Sequence, residues 1–208
     1  MKRTAILLIF TILLLSCKKE APITYKYSEK EDLFACSSVD MELIKEALYA
    51  FEDYVTNNHS FREPFTTAKG YANYWSVATT DRMPFINKLD DHTKAIFNAL
   101  KDEQDLWVNN GNKVTLNYNG EFMSCLIDNV KNEEAKRVMS ALVETKTFRS
   151  NIFTPALDRN TKQFLVDKSL AAYVALDLFY AKLFQIDFSK PYKAPPPPPE
   201  NEHEGHNH

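Results

Sequence analysis

The stretch from Thr161 to Phe188 contains neither Gly nor Pro and is rich in Ala and Leu. As one helix it would run about 40 Å, at a rise of about 1.5 Å per residue. Its middle, Leu170 to Ala181, is apolar at every position except Asp177. A helix apolar nearly all round buries most of its circumference, so other helices must surround it. A membrane span is the rival reading, but it would place Asp177 and Lys182 inside the bilayer, where charges are costly. The fold expected is all-α: an irregular bundle of about five to seven helices around a long C-terminal helix over about 161–188.

The opening residues bear on the compartment. Lys2 and Arg3 form a positive region, Ala5 to Leu15 an apolar one, and Ser16-Cys17 follow. This is the pattern of a secretory signal, too short for a permanent span. The segment Leu14-Leu15-Ser16-Cys17 resembles the lipobox of bacterial lipoproteins. That resemblance covers residues 1–17 only. It implies cleavage before Cys17, a diacylglycerol on the Cys17 thiol and acylation of the new amine. Several acyl chains at one terminus anchor stably where one alone is marginal. Lys18 rather than Asp follows the cysteine; in the lipoprotein family Asp there often marks inner-membrane retention, so Lys18 favours the outer membrane. Whether the domain faces the periplasm or the outside stays open.

The organisation expected is a signal peptide over 1–16, the lipidated Cys17 and a tether over 17–36, a helical domain over 37–189 and a disordered tail over 190–208. Removing Lys2 and Arg3 leaves 23 basic against 28 acidic residues, a net charge of −5. No basic stripe survives, which argues against a nucleic-acid partner. Hydrophobic residues make up 44% of the chain, enough for a core, and with only 4 Gly a turn-rich β fold is disfavoured.

Helical spacing of Ile44, Ala47, Leu48, Phe51, Tyr54 and Val55 predicts a first helix over about 40–57, capped by Ser38 or Asp40. Glu42, Glu46, Glu52 and Asp53 fall largely off its buried face. Further helices are expected over about 67–79, 90–106, 121–129 and 133–147. The aromatic run Phe61, Phe65, Tyr71, Tyr74 and Trp75 reads as core, although such a cluster can line a ligand pocket. Residues 107–118 are the β-like stretch, an ordered loop or short hairpin centred on Asn110-Gly111.

Signatures of common chemistries are missing. The sequence has no phosphate-binding Gly-rich loop, no Gly-x-Ser-x-Gly elbow, no His-Glu-x-x-His helix and no Cys-x-x-Cys-His. The pairs Glu52-Asp53, Asp90-Asp91 and Glu133-Glu134 read as solvated faces. His59 and His92 receive no role. Asp177 is the odd ionisable group: on a buried helix it needs a partner, either a Tyr, Arg or Lys of a neighbouring helix or a ligand. Once Cys17 is committed to lipid, Cys36 and Cys125 remain, an even number in an oxidising compartment, and a disulfide between them is expected; two unpaired buried thiols are the alternative.

Five consecutive prolines, Pro195 to Pro199, favour a polyproline II rod. Beyond them His203, His206 and His208 lie beside Glu202 and Glu204. Imidazoles on a flexible segment can converge on one divalent transition metal, weakly, though the spacing matches no structural zinc motif. The other reading is a solvated polar end. No cofactor is otherwise called for.

Three roles follow from these features. One is a lipid-anchored binding or assembly module of the envelope, with the membrane and another envelope protein as partners. The second is an envelope enzyme whose site is assembled from distant residues. The third is a metal-handling lipoprotein using the tail. A pocket with polar groups converging around Asp177 would favour the enzyme; a flat apolar patch would favour a protein partner. The anchoring expectation is directly testable. Cys17→Ser is expected to block processing and lipid incorporation, read by mass spectrometry and detergent partitioning; normal cleavage with retained partitioning would refute it.

Overall fold

The computed structural model describes residues 23–57, 66–79, 89–111, 113–157 and 161–190. Among them the chain is mostly helical. In order come α1 (Met41–Asn57), α2 (Thr67–Ala78), α3 (Asp91–Leu100), β1 (Trp107–Asn109), β2 (Val114–Leu116), α4 (Glu121–Asp128), α5 (Glu133–Glu144) and α6 (Ser150–Phe153). Two 3₁₀ turns, Thr154–Leu157 and Thr161–Leu165, lead to the last helix. That helix is α7 (Lys168–Tyr173), a π-helical segment (Val174–Tyr180) and α8 (Ala181–Leu183), joined without a break.

Most helices start where a side chain can accept a free backbone N–H. Asp40 accepts from Leu43 N at 3.2 Å, Asp90 from Thr93 N at 2.7 Å, and Asn132 from Ala135 N at 2.9 Å. Of the two caps expected for α1, Asp40 is the one used. Helix α4 has no cap of its own. Asp105 reaches in from the preceding loop and accepts from Phe122 N at 2.7 Å. That approach needs Gly120, because a Cβ there would stand 2.6 Å from Asp105 Oδ1. Gly70 has a similar reason to be in α2: its Cβ would meet the Val55 carbonyl oxygen at 2.6 Å, so the glycine lets α2 close onto α1.

The last helix is central, as expected, but shorter than the 161–188 stretch. Asp167 ends the preceding turn and caps α7 by accepting from Leu170 N at 3.2 Å, so the helix starts at Lys168. The same carboxylate accepts from Lys131 N at 2.8 Å and Asn132 N at 3.1 Å, tying the α4–α5 link to the helix start. Every residue from Ser169 to Ala181 is buried. Helices α1, α2 and α4, with the hairpin, pack around this segment and its flanks. Phe51, Tyr54, Tyr74 and Phe179 form one aromatic group of the core; Tyr71 and Trp75 pack on Phe164. The core reading of Tyr71, Tyr74 and Trp75 therefore holds. Phe61, Phe65 and His59 lie outside the described residues.

The hairpin pairs Trp107 with Leu116 and Asn109 with Val114. Asn110 N donates to the Lys113 carbonyl, which moves the turn one residue past the Asn110-Gly111 centre expected. Helix α3 stops at Leu100, short of 106, and the Leu100 carbonyl accepts from the Trp107 indole N–H at 2.6 Å and from Glu103 N at 3.2 Å.

The expected tether is overturned for residues 23–36. Ile23, Tyr27, Leu33 and Phe34 pack against the core, and the segment lies along α1. It buries a face of α1 that the helical pattern assigns to solvent. Glu46 is 1% exposed, and its carboxylate accepts from Lys26 N, Tyr27 N and His92 Nε2, at 2.6, 3.0 and 2.6 Å. Lys45 Nζ reaches Asp32 at 2.7 Å and the Ser28 carbonyl at 2.9 Å. Glu52 also leaves the solvated class, receiving the Tyr71 hydroxyl and Lys168 Nζ, both at 3.1 Å. Asp53, Asp91, Glu133 and Glu134 are exposed as read.

The expected disulfide is present. Cys36 and Cys125 are bonded, with Cα atoms 6.1 Å apart, and the bridge staples the end of the N-terminal arm to α4. In the chain-entropy account a loop of this size is worth about 4–5 kcal/mol.

The buried tyrosines make the fold sensitive to alkali. Burial holds the Tyr74 and Tyr180 phenols well above their ordinary value; burial and then the Glu52 charge do the same for Tyr71. Tyr49 is pushed up to about 12, by burial and then Glu52. These groups keep their protons in the folded chain while the unfolded chain ionises near pH 10. Their contribution is therefore complete below about pH 10 and is lost as pH rises through the folded values. Each such group steepens the loss by about 1.4 kcal/mol per pH unit. Urea midpoints measured from pH 8 to 11 are expected to hold flat and then fall beyond pH 10; an unchanged midpoint at pH 11 would contradict this burial.

Candidate functional site

Asp177 sits in the π-helical segment, in the last helix's buried run. A π turn carries an extra residue per loop and recurs at functional sites. Here Val174 to Tyr180 contains no Gly or Pro, so side-chain bonding is the visible support for the wider turns. The Tyr74 hydroxyl donates to the Leu178 carbonyl at 2.6 Å, and the Tyr180 hydroxyl to the Ala47 carbonyl at 3.1 Å.

The Asp177 carboxylate receives two tyrosine hydroxyls. Tyr118 donates to Oδ1 at 2.7 Å and Tyr173 to Oδ2 at 3.0 Å. Tyr173 comes from one turn earlier on the same helix; Tyr118 comes from the loop after β2. An aromatic frame fixes both: the Phe148 ring lies 4.6 Å from Tyr118 and 5.9 Å from Tyr173. Asp177 thus has tyrosine partners, as anticipated, but neither comes from a neighbouring helix: Tyr173 is on its own helix and Tyr118 on a loop. A charged group without such partners would not remain at 5% exposure.

The same carboxylate lies on the wall of a cavity of about 540 Å³. The end of α2 (Ala78, Thr79), the hairpin (Val108, Val114, Leu116), the start of α6 (Arg149, Asn151) and the last helix (Asp177, Leu178, Lys182) enclose it. The buried members, Ala78, Leu116, Phe148, Thr154, Asp177 and Leu178, form its floor. The exposed members, Asn110, Lys113, Asn119, Arg149 and Asn151, form its mouth. Lys182 reaches across the wall, and its Nζ donates to the Ala78 carbonyl at 2.9 Å. This volume lies in the range of small-molecule sites, which are mostly apolar; this cleft is more polar, with Thr, Asn, Lys and Arg side chains in its lining.

The sequence pointed to Asp177 through its burial. It did not point to Tyr118, Phe148, Arg149 or Lys113, because their convergence depends on how the hairpin and α6 meet the last helix. Cys36 and Cys125 form a staple away from the cleft lining. Cys17, His203, His206 and His208 lie outside the described residues, as does the tail expected over 190–208 apart from Lys190. Among the described residues, no group of three or more His, Cys, Asp and Glu side chains could hold a metal ion, and no helix is long and apolar enough to cross a membrane. No protein-family model, curated protein or solved structure matches the chain.

The bonded carboxylate predicts its own removal cost. Asp177→Ala leaves two tyrosine hydroxyls without that acceptor, and is expected to destabilise by about 3 kcal/mol; Asp177→Asn, which retains one acceptor oxygen, by about 1 kcal/mol. Urea denaturation of the two variants measures both. Equal midpoints for wild type and Asp177→Ala would show that the carboxylate does not hold the tyrosines.

Proposed function

We propose that this chain is a lipid-anchored binding module of the bacterial envelope, fixed to the membrane through Cys17 and taking a small organic ligand in the cleft over Asp177. The cleft is the observation that carries the ligand half of this reading: a partly apolar floor, the buried Asp177 carboxylate with the half-buried Tyr118 donating to it, and a mouth of polar and cationic side chains. The lipobox-like Leu14 to Cys17 supports the anchor, and Lys18 supports the outer membrane. The Cys36–Cys125 disulfide suits an oxidising compartment.

An envelope enzyme is the second reading, favoured by one observation, the placement of a buried carboxylate in a π-helical turn on the cleft wall. Binding ranks ahead of it on chemistry. Glycoside hydrolysis uses two carboxylates across the scissile bond, and Asp177 is the sole carboxylate among the described lining residues. Those residues also include no His, Ser or Cys for a nucleophile and base pair.

Native mass spectrometry of the protein purified from its own envelope in mild detergent tests the reading. Wild type is expected to retain a small non-covalent ligand, and Asn119→Trp, which fills the mouth from an exposed position, is expected to lose it. Absence of any retained small molecule, with crosslinking in the envelope capturing a protein through the same face, would replace the ligand site with an assembly surface.

A further inference from the structure

We propose that the cleft selects an amphipathic organic monoanion, its acid group at the mouth with Lys113 and Arg149 and its apolar body on the floor. This rests on the cleft being a ligand site and adds the chemistry of what enters it. The charge distribution carries the inference. The chain is acidic, with a formal charge of −3, yet the formally charged side chains described around the cleft are three cations and one carboxylate. Some cations elsewhere on the surface stand beside acids, Lys94 with Asp91, Arg137 with Glu134 and Lys190 with Asp187, while others such as Lys146 and Lys162 do not among the described residues; the cleft differs in setting two exposed cations at one opening. Lys113 and Arg149 have no ion-pair partner among the described residues, and both are exposed at the same opening, one from the hairpin and one from the start of α6.

Depth then sorts the two ends of the ligand. Phe148, Leu116, Leu178 and Ala78 are buried and present apolar surface. Asp177 is buried among them, and a second acid group brought to that depth would lose its hydration beside a carboxylate to which the Tyr118 and Tyr173 hydroxyls already donate. The acid group therefore belongs at the mouth, near two cations whose attraction is moderate and screened by salt. One acid group suits this arrangement; a second at the buried end does not. The class is a monocarboxylate or similar monoanion carrying a compact apolar or aromatic body.

Naphthalene-1-acetate and its neutral isostere naphthalene-1-acetamide separate the charge from the shape. Titrations followed by naphthalene fluorescence use the full mature chain, with Asn119→Trp and the double variant Lys113→Gln/Arg149→Gln beside wild type. At low salt the acetate is expected to bind at least about fivefold more tightly than the amide, as mouth charges of this exposure allow. The double variant is expected to bring the acetate down to the affinity of the amide, removing that preference, and added salt to shrink it. Equal affinities for the two probes, both abolished by Asn119→Trp, would overturn the monoanion proposal and leave the ligand site standing. Failure of both probes to bind, or binding indifferent to Asn119→Trp, would overturn the site as well.

Discussion

Burying thirteen consecutive residues, Ser169 to Ala181, leaves the last helix no solvent face. Its polar groups must find partners on other elements, and those partners specify where the elements go. Tyr180 bonds the α1 backbone, Tyr74 of α2 bonds the Leu178 carbonyl, and Tyr118 brings the loop after the hairpin onto Asp177. Asp167 does the same at the helix start with the α4–α5 link. Apolar packing drives the burial, and these few directional bonds select one arrangement of the packed elements.

Helix α1 shows a second use of the same logic. Its apolar stripe faces the last helix, and its other side carries acids. The N-terminal arm closes over part of that side, supplying two backbone N–H groups to Glu46 while His92 approaches from α3. A carboxylate removed from water is destabilising unless hydrogen-bonded, and here three donors meet it. The arm and its disulfide to α4 thus belong to the domain, and any spacer to a lipid anchor is confined to the residues before it.

The cleft forms where three kinds of element meet the widened turn of the last helix. The hairpin and the start of α6 contribute a cationic mouth, while the helix contributes a carboxylate restrained by tyrosines. Its polar gradient runs from exposed positive groups to a buried negative one. Such a gradient would give the proposed ligand an orientation as well as a volume.

How much of this was legible in the sequence follows from the range of the forces involved. The helix caps at Asp40, Asp90, Asn132 and Asp167 act over three residues, and the apolar run from Leu170 to Ala181 declares its burial by composition alone. So the helical class, the central helix, the disulfide and the oddity of Asp177 were determined locally or by counting. The burial of Glu46, the π-helical turns and the cationic mouth depended on contacts between residues far apart along the chain, such as Lys26 with Glu46 and Tyr118 with Asp177. Periodicity reports which face of a helix is apolar, but it carries no information on what a distant arm will cover. Only the tertiary structure decided that, because the hydrogen bonds that compensate a buried charge exist only once the distant donors have been brought to it.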